Sequence, residues 1–186
     1  MENPLLCVDP VREMLDIGMK NKIANIETIC ETAEEFSGRD IQYDKIYLKM
    51  VIHHLPLDKL RKIFTGITRQ LSNNGTILID KTKEQGTSYP TFQKARQLHT
   101  LSEKGRSELL QDIFHSLGYK VTTKIVEARA RMTKAEAIKN IRNRYTSTLE
   151  LLSDQEIQEG IEEVERKFPD VIEYDHKREI IIAKKN

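Results

Sequence analysis

An aspartate, Asp9, stands at the end of an apolar stretch, 5–8, and a segment with helical spacing follows it directly. A carboxylate at the carboxyl end of a buried strand can accept charge-assisted hydrogen bonds from both hydroxyls of a ribose. An aspartate here can equally cap the following helix, in which Pro10 takes the first position without losing a hydrogen bond. Both interpretations fit Asp9 equally well.

A second group of polar residues follows the apolar stretch 25–30, in the segment ETAEEF. Thr32, Ala33 and Glu34 form a turn there that can offer a backbone N–H and a carboxylate to the edge of an adenine ring. Acidic turns are common at protein surfaces, so this turn predicts little by itself.

Two adjacent histidines, His53 and His54, follow closely after Lys49, which ends the strand-like segment 43–49. Packing does not require tandem histidines before a helix, although one could pack under that helix while the other caps it. A metal site would need further ligands at suitable spacing, and we predict no metal. The other histidines are scattered along the chain at His99, His115 and His176.

Charge is spread unevenly over the second half of the chain. Basic residues dominate between 117 and 144, and acidic residues dominate between 150 and 165. Two solvated helix faces that attract each other would explain this pattern. Alternatively, the basic stretch lines the approach to an anionic substrate.

The composition describes one globular domain over residues 1–186, with 38% apolar and 32% charged residues. A formal net charge of +1 argues against a dedicated nucleic-acid binder, and no apolar run is long enough to span a membrane. Two cysteines, Cys7 and Cys30, lie in apolar runs, which favours buried free thiols in a reducing, cytoplasmic compartment. Nothing at the amino terminus has the layout of a signal peptide.

Strand-like and helix-like segments alternate along the chain, which predicts an α/β fold built on a parallel sheet. Ligands of such sheets bind at the carboxyl ends of the strands, where the polar groups above are found. The expected strands cover 3–9, 25–30, 43–49, 120–128 and 173–185, and the segment 72–80 is expected to be a turn followed by a strand. The expected helices cover 10–20, 57–71, 107–119, 133–152 and 153–169.

Taken together, these segments resemble the class I S-adenosylmethionine-dependent methyltransferases, specifically the small-molecule branch with type 11 domains. Four segments within residues 4–80 carry the resemblance, in the family's order: CVDPVREML, ETAEEF, YDKIYLKMVIHHL and LSNNGTILI. The closing REIIIAKK looks like the family's final antiparallel strand. The segment IRNRYTSTLELLSDQEIQEGIEEV is similar to the substrate side of the trans-aconitate methyltransferases.

This resemblance implies a Rossmann-like, mostly parallel sheet with an antiparallel carboxyl-terminal strand, and S-adenosylmethionine as the cofactor. It assigns the ribose to Asp9 and Pro10 and the methionine moiety to the stretch that starts at Lys49. The turn of Thr32, Ala33 and Glu34 would then lie along the adenine.

The same resemblance predicts that residues 133–168 form two helices that cover the site as a substrate lid. Arg144 and Tyr145 would contact a small-molecule acceptor there. His53 or His54 would act as general base if the acceptor must lose a proton.

The chain departs from the family in one respect. Family members begin with a strand and a glycine-rich turn that cradles the methionine end of the cofactor, whereas here the match starts at Asn3 and no G-x-G occurs. We therefore expect a domain truncated at its amino terminus that binds the cofactor poorly. The activity is either methyl transfer by descent or partner binding by a non-catalytic domain. A nicotinamide-dependent oxidoreductase fits less well, because it needs the same glycine loop.

Overall fold

Six strands form two sheets in the part of the chain that the computed structural model describes, residues 4–20, 25–83 and 89–185. The larger sheet has the order β3-β4-β6-β5, and the smaller one contains only β1 and β2. The strands are β1 (Leu5–Val8), β2 (Ile26–Ile29), β3 (Tyr43–Lys49), β4 (Leu71–Thr82), β5 (Tyr119–Thr133) and β6 (Val171–Lys185).

In the larger sheet β3 and β4 run parallel, and β6 is antiparallel to both of its neighbours. Three of the four strands therefore share one direction, and the carboxyl-terminal strand opposes them. The predicted α/β fold with an antiparallel last strand is confirmed.

Eight helices cover or extend these sheets in the described ranges, and none is long and apolar enough to cross a membrane. They are α1 (Arg12–Met19), α2 (Ala33–Phe36), α3 (Leu60–Gln70), α4 (Gln93–Glu103), α5 (Arg106–Ser116), α6 (Lys134–Arg142), α7 (Ser147–Glu150) and α8 (Asp154–Lys167).

The main core lies between α3, α5 and one face of the larger sheet. Leu60, Ile63, Phe64 and Ile67 of α3 recur at helical spacing, so one stripe of the helix is buried against the sheet. The ring of Phe64 meets that of Phe114 edge to face, with centroids 5.0 Å apart. Helix α5 then ends where Gly118 adopts a left-handed conformation, φ 80°, as the sequence predicts.

The smaller sheet is less well covered. Strand β1 pairs in parallel with β2, and no ladder joins this pair to the larger sheet within the described residues. Leu5 is 54% exposed, and Cys7 and Cys30 are partly exposed free thiols. The predictions of a buried first strand and buried cysteines are therefore wrong, because among the described residues β1 pairs only with β2.

A helical insertion, which we define as α6, α7 and α8, connects β5 to β6. It contains three helices rather than the two predicted, since α7 forms a separate short turn. Strand β4 pairs with β6 only from Arg178 onward, so the outer part of the β5–β6 ribbon extends past the carboxyl end of β4. The insertion is joined to that outer end of the ribbon.

Helix α4, which the sequence analysis missed, packs against the insertion. Phe92 and Ala95 share a second apolar core with Ile141, Ile161 and other buried residues of the insertion. Gly160 of α8 lies directly against the Phe92 ring, and a Cβ at that position would stand 2.6 Å from Cγ of Phe92.

We expect Gly160→Ala to lower the free energy of unfolding by about 1–3 kcal/mol, because the added methyl group overpacks this contact. Urea unfolding followed by circular dichroism measures the change. Gly18→Ala is the matched control, since a Cβ at Gly18 meets nothing within 4 Å and the substitution should cost no stability. Equal stability of both variants would show that α4 and α8 are not in close contact.

Candidate functional site

Asp9 lies where the chain leaves β1 and turns into α1. Its Oδ1 accepts the backbone N–H of Val11 at 2.8 Å, one residue before the helix starts at Arg12. The neighbouring carbonyl oxygen of Pro10 accepts a hydrogen bond from the Cys30 thiol at 3.5 Å, which ties the ends of β1 and β2 together. Asp9 therefore makes a local turn and does not cap α1, because Val11 is the N-cap residue and no side chain caps the helix; Pro10, predicted at the first helical position, lies before the helix. The predicted role of Asp9 toward a ribose stays a prediction.

The acidic turn after β2 is built as a helix start. Thr32 and Glu35 form a reciprocal capping box, and Ala33 is the first residue of α2. Glu34 forms ion pairs with Lys59 at 2.6 Å and Lys62 at 2.9 Å. Hydrogen bonds from Lys59 and then Lys62 lower the pKa of Glu34 to about 2. The Thr32 N–H and the Glu34 carboxylate therefore already have partners within the protein, and the adenine contacts of Thr32, Ala33 and Glu34 stay a prediction.

The histidine turn, residues 49–55, is held by backbone contacts at the carboxyl ends of β3 and β4. After the exposed Lys49, Met50 takes a left-handed conformation, φ 53°, and its N–H donates to the carbonyl oxygen of Asp80 at 2.7 Å. A single turn of 3-10 helix, Ile52–His54, follows. The guanidinium of Arg106 donates from Nη1 to the carbonyl oxygens of Ile52 and Leu55, at 2.9 and 2.8 Å. Hydrogen bonds to the backbone before and after His53 therefore fix its position.

The two histidines differ in their surroundings. His54 is exposed, whereas the His53 side chain is 14% exposed and its Nδ1 is 3.6 Å from Oε1 of Glu103. The two imidazole rings are 4.0 Å apart. Burial, followed by the neighbouring His54, lowers the pKa of His53 to about 4. His53 is therefore neutral at pH 7 and can accept a proton.

A group of buried charges beneath His53 was not predicted from the sequence. Lys81 and Glu103 are both fully buried, and Nζ of Lys81 is 2.9 Å from Oε2 of Glu103. Lys81 also lies 3.3 Å from Oε2 of Glu179 on β6. A signal was present, because Lys81 continues the alternating face of Ile77 and Ile79, which points into the core.

The opposite face of the sheet carries a second polar group at the same edge. Arg178 binds Asp80 through both Nε, at 2.7 Å, and Nη2. The hydroxyl of Tyr47 donates to Oδ2 of Asp80 at 2.7 Å, and this hydrogen bond raises the pKa of Tyr47. These groups satisfy one another, and Tyr47 remains 55% exposed.

Arg144 and Tyr145 lie in the helical insertion. The guanidinium of Arg144 donates to the carbonyl oxygens of Leu149 and Leu152 and forms an ion pair with Asp154 at 2.7 Å. It therefore joins α6, α7 and α8, while Tyr145 is 68% exposed. The contacts described for Arg144 are structural, and acceptor binding by both residues stays a prediction.

The structure brings only part of the predicted site together. His53 and His54 lie beside the buried Lys81–Glu103 pair, whereas Asp9 belongs to the separate smaller sheet. No group of three or more potential metal ligands occurs in residues 4–20, 25–83 and 89–185. The basic stretch is mostly strand β5, so its interpretation as a helix face is wrong over 119–133.

Residues 3–79 match the family model described as a methyltransferase domain. Among curated proteins, no sequence matches the chain significantly. The family match covers the segments that contain Asp9, the acidic turn and the histidine turn. It therefore agrees with the resemblance identified from those segments.

Solved structures with the same fold include a protein from Bacillus halodurans assigned as a methyltransferase. It is 11% identical with a TM-score of 0.62, and the alignment covers 98% of this chain and 83% of that one. The YcgJ protein of Bacillus subtilis is 18% identical with a TM-score of 0.60, covering 98% and 82%. A phosphoethanolamine N-methyltransferase of Haemonchus contortus, solved with phosphomonomethylethanolamine and S-adenosylhomocysteine, is 18% identical with a TM-score of 0.51, covering 97% and 43%. The family model thus supports the methyltransferase recognition over residues 3–79, and these structures confirm the predicted Rossmann-like fold.

Proposed function

We propose that this chain, whose residues 3–79 carry the methyltransferase domain, binds S-adenosylmethionine and serves methyl transfer to a small-molecule acceptor. The observation that carries this proposal is the placement of Asp9 directly after β1 and of His53 in the turn that follows β3, both inside the matched segment. Carboxyl ends of strands are where α/β sheets bind their ligands. The Haemonchus neighbour, solved with S-adenosylhomocysteine and a small amine, supports the cofactor and the acceptor class.

The residues present fit the ribose part of the cofactor best. Asp9 uses one carboxylate oxygen for the N–H of Val11, and a carboxylate can accept further hydrogen bonds, so it can also bind a hydroxyl. Pro10 and Lys49 are exposed beside the strand ends and complete this proposed contact surface. When bound, S-adenosylmethionine supplies an electrophilic methyl group on a sulfonium.

His53 is the proposed general base. Its imidazole is neutral at pH 7 and its buried Nδ1 faces Glu103, so Nε2 is the nitrogen left to receive the acceptor's proton. The exposed His54 is the alternative base, and its imidazole contacts the ring of His53. Displacement at the methyl carbon otherwise depends on alignment and exclusion of water.

The helical insertion is the proposed lid of the acceptor site. It is attached beyond the carboxyl end of β4, and α4 connects it by packing to the region of His53. Tyr145, with its exposed phenol, is the insertion's proposed acceptor contact, together with Arg144. We further propose a cytoplasmic location, because the free thiols of Cys7 and Cys30 suit a reducing compartment.

A second candidate function is partner binding by a non-catalytic methyltransferase-like domain. One observation favours it: among the described residues, the β1–β2 pair that carries Asp9 is not joined to the sheet that carries His53. A cofactor needs both parts of the site at fixed separation, whereas a binding domain does not. The two functions differ in whether S-adenosylmethionine binds near Asp9.

We expect Asp9→Asn to weaken S-adenosylmethionine binding roughly tenfold, because the neutral amide loses the charge-assisted hydrogen bond to the ribose. A titration followed by NMR chemical shifts measures dissociation constants into the millimolar range. Asp16→Asn is the control, since Asp16 is an exposed carboxylate on α1, and it should not change the affinity. Shift changes that do not respond to Asp9→Asn would contradict the assignment, and no shift changes at all would favour the non-catalytic function.

A further inference from the structure

A continuous series of buried polar groups connects β6 with the histidine turn. Oε2 of Glu179 accepts hydrogen bonds from Lys81 on β4 and from Ser107 on α5. Lys81 lies against Glu103 at the end of α4, and Glu103 faces His53. The series therefore joins β6, α5, β4, α4 and the histidine turn through two glutamates, Glu179 and Glu103.

Lys81 makes no hydrogen bond of normal geometry to Glu103. An ammonium has three N–H donors, and those of Lys81 are directed to the carbonyl oxygen of Thr82 at 3.0 Å, Oγ of Ser107 at 3.2 Å and Oε2 of Glu179 at 3.3 Å. The 2.9 Å contact with Glu103 is thus a charge contact without hydrogen-bond geometry. Both carboxylate oxygens of Glu103 remain without a donor among the described residues.

Nδ1 of His53 is another buried polar atom that lacks a hydrogen-bond partner at this place among the described residues. It is buried, has no hydrogen-bond partner in the described structure, and stands 3.6 Å from Oε1 of Glu103. Buried polar atoms without partners are costly, and a movement of about 0.6 Å would bring the pair to ordinary hydrogen-bond distance. The two unsatisfied groups are complementary, one donor and one acceptor.

We propose that Glu103 is a positioning residue for His53: its carboxylate, neutralised by Lys81, accepts the Nδ1–H of the imidazole and so leaves Nε2 as the base. This inference rests on the proposed methyl transfer and names the residue that prepares its base. S-adenosylmethionine, when bound, would supply the methyl group and leave as S-adenosylhomocysteine, and Nε2 of His53 would take the proton that the acceptor loses. Glu103 then stabilises the imidazolium, which returns the proton to water.

The surroundings of His53 agree with this role. Burial and the neighbouring His54, His99 and Arg106 all lower the pKa of His53, and only Glu103 raises it. The Glu103 carboxylate thus offsets part of the lowering of the His53 pKa and favours the charged imidazole. Because Glu103 is on α4, whose other end packs against the helical insertion, closure of that insertion on an acceptor would act on the same helix.

The test observes the imidazole nitrogens directly in the 1–186 chain labelled with ¹⁵N-histidine, with His53 assigned by comparison with His53→Gln. We expect the Nδ1–H tautomer of His53 at pH 7. In Glu103→Gln the pKa of His53 should fall below that of the unchanged chain. In Lys81→Met/Glu103→Leu, which removes both charges together, the tautomer ratio should shift toward Nε2–H by about tenfold or more.

Glu108→Gln is the matched control, because Glu108 is exposed on the neighbouring helix α5, and it should leave the His53 signals unchanged. An Nε2–H tautomer in the unchanged chain, or the same tautomer ratio in all folded variants, would overturn the proposal. Neither readout depends on turnover, so failure here is distinct from failure of the proposed methyl transfer, which the cofactor titration tests.

Discussion

Replacing Lys81 with methionine should lower the free energy of unfolding by about 3–5 kcal/mol, the cost of leaving a buried charge without its partner. Lys81 is fully buried between Glu103, also fully buried, and the nearly buried Glu179. Without the ammonium, two carboxylates share one buried space, and Ser107 and the Thr82 carbonyl lose a donor. Urea unfolding, analysed by linear extrapolation, measures the loss.

Two further variants serve as controls for the Lys81→Met measurement. Lys81→Met/Glu103→Leu removes both charges and should recover most of the stability, because a buried ion pair can be replaced by apolar side chains at little cost. Lys62→Met removes an exposed lysine that pairs with Glu34, and it should cost about 1 kcal/mol or less. A Lys81→Met variant as stable as Lys62→Met would show that the Lys81–Glu103 pair does not support the fold.

The fold could be predicted because its parallel strands and its main helices carry strong periodic patterns. The stripe of Leu60, Ile63 and Ile67 buries one face of α3, and the alternation of Ile77 and Ile79 identifies the core face of β4. Local signals were equally reliable where one residue type is required. Ser153 caps α8 in the predicted capping box, and Gly118 ends α5.

The candidate site was harder to predict, because its supporting residues are distant in sequence. Helix α4 buries few apolar residues, so its hydrophobic pattern is weak, and it was missed together with Glu103. Lys81 follows two core isoleucines at the same alternation, and only its neighbours in space explain why a charge is tolerated there. Thr32 and Glu35 have the sequence spacing of a capping box, yet the sequence analysis predicted adenine contacts for this turn and did not predict the helix start.

The largest effect on function concerns the cofactor: we expect this chain to bind S-adenosylmethionine with a dissociation constant of about 1 mM or weaker. That value corresponds to about 4 kcal/mol of binding free energy, which two or three charge-assisted hydrogen bonds supply. Asp9 offers such contacts to the ribose. Glu34 is already paired with Lys59 and Lys62, and no G-x-G in the sequence offers a backbone cradle for the methionine end.

The arrangement of the strands lowers the affinity further. Among the described residues, β1 and β3 belong to different sheets, so no backbone ladder fixes Asp9 relative to His53. Unpaired strand edges in apolar surroundings cost about 1–3 kcal/mol for each unsatisfied group. Binding a ligand across both parts must also restrict their relative motion, which reduces the net binding free energy.

Calorimetric titration of S-adenosylmethionine into two proteins tests this expectation. One is the chain as it stands. The other carries, ahead of Asn3, a glycine-rich strand–turn–helix segment taken from a structural relative such as the YcgJ protein. The added strand should pair with β1 and β3, supply the glycine cradle and tighten binding at least tenfold. The isolated segment and the fusion with Asp9→Asn serve as controls, and both should bind weakly. Tight and equal binding by the chain and its fusion would show that the described residues already form a complete cofactor site, and that the expectation of poor cofactor binding is wrong.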